Sequence, residues 1–138
     1  MAILVPYDGS EPAQRAVEHA VRTFGDDTIV LLRVIEAADG SVEAGFDLLK
    51  EAIKERRKEG AAEMSDALSA LIDETDTEFE IETAVGKPAR EIVAFAEEND
   101  ISHIVIGSHG RKGASRVLLG SVAQTVVRRA PTTVTVVR

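Results

Sequence analysis

The chain has 138 residues, 44% hydrophobic and 29% charged, with no cysteine and a formal net charge of −8. That length predicts one domain, residues 1–138, whose core needs neither disulfide nor structural metal, and the missing cysteines exclude a thiol nucleophile, a zinc–cysteine cluster and an iron–sulfur site. No apolar run nears the roughly 18 residues that cross a bilayer, the first residues lack a leader pattern and the negative charge disfavours nucleic acid and anionic membrane, so a cytoplasmic protein that binds neither is expected.

In chain order, the apolar run 3–7 predicts a strand, after which Ser10 caps a helix with Glu11 and Pro12 in its first turn. Ala13, Ala16, Val17, Ala20, Val21 and Phe24 form its inward stripe, and Gly25 stops it. Residues 28–35 make a second strand, continuously apolar apart from Arg33. Asp39-Gly40 then leads into a long helical segment over 42–72, with Leu49, Ile53, Gly60, Met64, Ala67, Leu68 and Leu71 on one face and charges on the other. Residues 78–85 alternate Phe79, Ile81, Thr83 and Val85 with polar partners, as an edge strand does. Gly86-Lys87-Pro88 opens a helix with Ala89, Ile92, Val93 and Ala96 inward, and Asn99-Asp100 closes it. A strand over 102–106, a loop over 107–119, a helix over 121–129 and an alternating last strand over 132–137 complete the chain.

The resulting order βαβαβαβαβ predicts a three-layer α/β domain with helices on both faces of a five-stranded parallel sheet. Strands 1, 2 and 4 are nearly unbroken apolar runs, as central strands are, and right-handed crossovers then give the order 3-2-1-4-5. The connections reverse between strands 1 and 4, and ligands bind beyond the carboxyl ends of the strands at such a switch point. Asp8-Gly9-Ser10 and the loop from Gly107 onward are therefore the candidate site.

The charge is unevenly spread. Residues 1–100 hold all 24 acids and 10 of the bases, whereas 101–138 hold Arg111, Lys112, Arg116, Arg128, Arg129 and Arg138 and no acid. This suits either an anion-facing segment or a neutralising contact with the acidic remainder. Gly107 and Gly110 permit positive φ and close backbone approach, and Gly120-Ser121 falls where a helix start exposes amides to an anion. Ser121 is read either as an ordinary cap or as a phosphate contact. Neither GxxxxGK[ST] nor GxGxxG occurs, so neither the P-loop nor the dinucleotide mechanism has its motif. His19 and His103 lack ligand-like spacing and are read as surface or structural residues.

The pattern Gly107-x2-Gly110-x9-Gly120-Ser121 is similar to the ATP-binding signature of the universal stress protein family. The opening ILVPYDGS, Gly86-Lys87-Pro88, IVIGSHGR and VAQTVVRRAPTTVTVV extend the resemblance over the whole chain. It implies a Rossmann-like domain of the adenine nucleotide alpha hydrolase-like type. It further implies a stress-response regulator that binds ATP, or ADP or AMP, with or without Mg²⁺, and pairs as a homodimer through residues 132–137. Carried over by position, Pro6, Asp8 and the backbone of Val34 meet the adenosine, Gly107 lies by the ribose, and His109, Gly110, Gly120, Ser121 and Val122 surround the phosphates. The protein partner is not named by the resemblance, and no carboxylate cluster marks metal ligands. Phosphoryl transfer wants a group that positions the nucleophile; 101–138 holds no carboxylate, so Asp8 or His109 would have to serve. Slow ATP hydrolysis is thus one alternative, and an interaction dimer that binds AMP or no nucleotide is the other.

Overall fold

A computed structural model describes residues 1–36, 70–73, 75–109 and 119–138. Most of the expected segment 42–72, Asp39-Gly40, Gly110 and the bases Arg111, Lys112 and Arg116 lie outside the described residues. Within them the elements are β1 (Ala2–Pro6), α1 (Glu11–Phe24), β2 (Thr28–Ile35), β3 (Phe79–Val85), α2 (Pro88–Glu98), β4 (Ile101–Gly107), α3 (Ser121–Arg129) and β5 (Thr133–Val137). All strands pair in parallel in the order β3-β2-β1-β4-β5. Residues 70–73 are helical, as the C-terminal part of the expected segment should be.

Strand alternation sends neighbouring residues to opposite faces, and each face has its own apolar layer. On one, Leu4, Val30, Leu32, Ile104 and Ile106 meet Ile92 and Ala96 of α2 and Ala123 and Val126 of α3. On the other, Ile3, Val5, Ile29, Leu31 and Val105 meet Ala16, Val17 and Ala20 of α1, with Leu71 and Ile72 packed alongside. The small stripe of α1 lets its backbone come close to the sheet, and this helix lies over β1, β4 and β5. Its cap is as expected: the Ala13 amide donates to Ser10 Oγ at 3.3 Å.

Two details go beyond what the sequence pattern gives. Ile81, one of the apolar positions of the alternating edge strand, is 57% exposed, although its register partner Leu31 is 3% exposed. Period-two alternation fixes the face of a residue, not the width of the cover above that face, and β3 is the outermost strand. Arg128 and Arg129, two of the six bases in residues 101–138, occupy the last turn of α3. There they complement the negative end of the helix dipole, away from the carboxyl ends of the strands.

His103 is structural, as expected. Its ring packs at a tilt of 46° against Phe24 of α1 with ring centroids 4.8 Å apart, and its Nε2 lies 2.6 Å from Thr135 Oγ1 on β5. Burial, and secondarily the nearby His19, lowers its pKa from the ordinary 6.5. The fold thus prefers the neutral ring, and as pH falls below about 6.5 the unfolded chain takes up the proton first. Stability should fall across that window and level off only below the depressed folded pKa. The His103→Gln protein should show a flatter melting temperature from pH 7 to 5 than the wild type; parallel curves would refute the assignment.

Candidate functional site

The carboxyl ends of β1 and β4 lie side by side where the chain's connections reverse, and the loops that follow them frame one edge of the sheet. The ladder between β1 and β2 ends at the pair Pro6–Leu32, closed by the Tyr7 amide donating to Leu32 O at 2.9 Å. Leu32 therefore turns its backbone groups toward β1. Because these groups alternate sides along a strand, Val34 turns its own N–H and C=O the same way, beyond the last residue of β1. Its side chain packs into the layer beneath α2 and α3. The backbone, not the side chain, is what Val34 offers at this edge.

The loop after β1 is held by its own side chains. Asp8 Oδ1 accepts from the Ser10 amide at 3.0 Å, and Gly9 between them has φ of 82°. This is an Asx turn, which needs a short carboxylate or amide at its first position and tolerates glycine in the left-handed region. Asp8 thus shapes the turn while Ser10 caps α1.

Gly107 does not adopt the positive φ that its residue type would permit. Gly9 and Gly86 are the described glycines with positive φ, and Gly107 is not among them. A Cβ on Gly107 would lie 2.7 Å from Pro12 C, 2.8 Å from Pro12 Cβ and 2.9 Å from the Ala13 amide. The position is glycine because β4 runs directly beneath the first turn of α1, which brings the starts of both site loops together.

Ser108 is the residue that sequence reasoning missed. It is the buried polar residue of the described core, 7% exposed. Its amide donates to Val137 O at 2.8 Å, its carbonyl accepts from the Gly120 amide at 2.7 Å, and its Oγ lies 3.1 Å from His109 Nδ1. One residue thereby joins the end of β4 to the end of β5, the start of α3 and the His109 ring. A hydroxyl residue between a closing apolar strand and a histidine was the available signal.

The start of α3 also differs in detail. Gly120, with φ −61° and ψ 153°, is the cap, and no side chain fills that role. Ser121 is instead the first helical residue, so its reading as an ordinary cap is corrected. The amide of Gly120 is taken by Ser108, and the first helical bond runs from the Gln124 amide to Gly120 O at 2.9 Å. The amides of Ser121, Val122 and Ala123 precede that bond and have no carbonyl within the helix to receive them. They carry the positive end of the helix dipole at the edge where β4 ends. Among the described residues no group of three or more His, Asp or Glu could hold a metal ion, and no helix is long and apolar enough to cross a membrane.

Pro6, Asp8, Val34, Gly107, His109, Gly120, Ser121 and Val122 thus fall at the carboxyl ends of the strands, on the loops that leave them or at the start of α3. Gly110 is outside the described residues.

Comparison with known proteins gives one consistent result. The model of the universal stress protein family matches residues 1–138. Universal stress protein MJ0531 of Methanocaldococcus jannaschii is 31% identical over 99% of this chain and 81% of its own length. Among solved structures, universal stress protein UspA from Lactobacillus plantarum is 27% identical with a TM-score of 0.78, covering 100% of this chain and 97% of that one. A universal stress protein in complex with cAMP is 26% identical with a TM-score of 0.70, covering 100% and 97%. The protein from Archaeoglobus fulgidus in complex with dAMP is 27% identical with a TM-score of 0.63, covering 100% and 98%.

Proposed function

The chain belongs to the universal stress protein family, and from that premise we propose that it is a stress-response regulator that binds an adenine nucleotide, ATP foremost, where β1 and β4 end. The carrying observation is that two sets of backbone groups lie at the carboxyl edge of the sheet: the start of α3, which no side chain caps and which Ser108 ties to the end of β4, and Val34, whose N–H and C=O turn past the end of β1. The first supplies amides and dipole to phosphates, and the second supplies one donor and one acceptor to an adenine edge. Related structures bound to cAMP and dAMP support an adenine nucleotide as the ligand class.

In this reading Pro6, Asp8 and Val34 hold the base and its sugar, Gly107 borders the ribose, and His109, Gly110, Ser121 and Val122 meet the phosphates. Gly120 serves through shape, since a Cβ there would lie 2.8 Å from Ser108 O. Any Mg²⁺ that accompanies ATP takes its ligands from phosphate oxygens and water. Titration calorimetry of nucleotide-stripped protein with ATP, ADP and AMP, each with and without Mg²⁺, tests the reading. Saturable heat with at least one of them is expected; no heat and an unchanged melting temperature with all three would overturn it.

The same reading includes a homodimer through β5. That strand pairs with β4 on one side, and Val134 and Val136 on one face and Val137 on the other leave an apolar edge strand only partly covered. Such an edge favours association. Light scattering at micromolar concentration should give twice the monomer mass, and monomer alone would refute this part.

A further inference from the structure

The position of Ser108 suggests more than a structural joint. Its Oγ lies 3.1 Å from His109 Nδ1, and among the described residues this hydroxyl makes no other hydrogen bond. A hydroxyl can either donate to a ring nitrogen or accept from it. If it accepted here, its own proton would be left without an acceptor in a residue only 7% exposed, and buried donors are rarely left so. Donation to Nδ1 satisfies it and requires a neutral ring with its proton on Nε2. The Ser108 backbone is fixed at both ends, by Val137 O and by the Gly120 amide, which fixes the point from which the side chain projects beside His109.

We infer that Ser108 is a positioning residue that holds His109 in the Nε2–H form and so presents one N–H donor to a phosphate oxygen of the bound nucleotide. The inference rests on the nucleotide-binding reading for its ligand, but not for the state of the ring. A donor fixed before binding avoids the cost of selecting a tautomer when the anion arrives. Its benefit falls on the phosphate and not on the base, so it discriminates nucleotides from the bare nucleoside.

Long-range proton–nitrogen correlation of the ring nitrogens in the ligand-free protein reads the tautomer directly. The wild type should show the Nε2–H form, Ser108→Ala a mixture of both forms, and Ser108→Thr the wild-type form again. In parallel, Ser108→Ala should weaken ATP binding by about threefold to tenfold, the range of one hydrogen bond, and leave adenosine binding unchanged, with Thr restoring ATP. A wild-type ring protonated on Nδ1 would overturn the inference. So would equal losses for ATP and adenosine in Ser108→Ala, which would make the residue a joint and nothing more. A wild-type protein with the Nε2–H ring that binds neither ATP nor adenosine would overturn the nucleotide reading and the assignment of the ring to phosphate, while the Ser108–His109 pairing would stand.

Discussion

Replacing Gly107 with alanine should cost about 3 kcal/mol and lower the melting temperature by about 10 °C. The added methyl would sit within 2.9 Å of three atoms of Pro12 and Ala13. Two of these are backbone atoms and the third belongs to a proline ring, so no side-chain rotation clears the space. Either α1 lifts off β4 or β4 bends, and both disturb Val105, which is fully buried against α1. Overpacking usually costs about 1 to 3 kcal/mol, and a rigid neighbour puts this site at the upper end. Urea unfolding measures the change, and a loss below about 1 kcal/mol would show that the first turn of α1 yields.

Replacing Ser121 with proline should leave the fold intact and weaken ATP binding by about tenfold or more. Proline suits the first position of a helix, where its fixed φ is already helical and its missing N–H had no intrahelical partner. The residue before a proline must be extended, and Gly120, at ψ 153°, already is. The substitution therefore removes one amide donor from the start of α3 with little cost to the helix. Hydrogen bonds to charged groups are worth about 1.5 to 3 kcal/mol, and about 1.4 kcal/mol corresponds to a factor of ten. Ser121→Ala, which keeps the amide and removes the hydroxyl, should bind ATP nearly as the wild type does. Unchanged ATP affinity in the proline variant, measured by calorimetry beside an unchanged melting curve, would exclude this amide from the phosphate site.

What could be read before the structure follows the range of the forces involved. The strand order and the faces of α1 and α2 were legible because they rest on local periodicity and on the handedness of crossovers. The unbroken apolar character of β1 and β4 placed both at the centre, and the switch point between them came from topology alone. The reason for Gly107 was not legible, because Pro12 and Ala13 are 95 and 94 positions away in sequence and only the packed sheet brings them against it. Ser108 escaped for the same reason, since its partners Val137 and Gly120 lie on two other elements. The place of Arg128 and Arg129 was not legible either, because a sum of charge over a segment does not say which end of a helix carries it.

The place of β1 in the sheet has a consequence for how the protein is made. Its first residues pair with β2 at Thr28, but its other neighbour begins only at Ile101. A ribosome that adds about 5 to 20 residues per second needs about 5 to 20 s to cover the intervening 95 or so residues. Throughout that interval the strand that will be most deeply enclosed has one bare side. The nascent chain is therefore most vulnerable to self-association while β1 awaits β4.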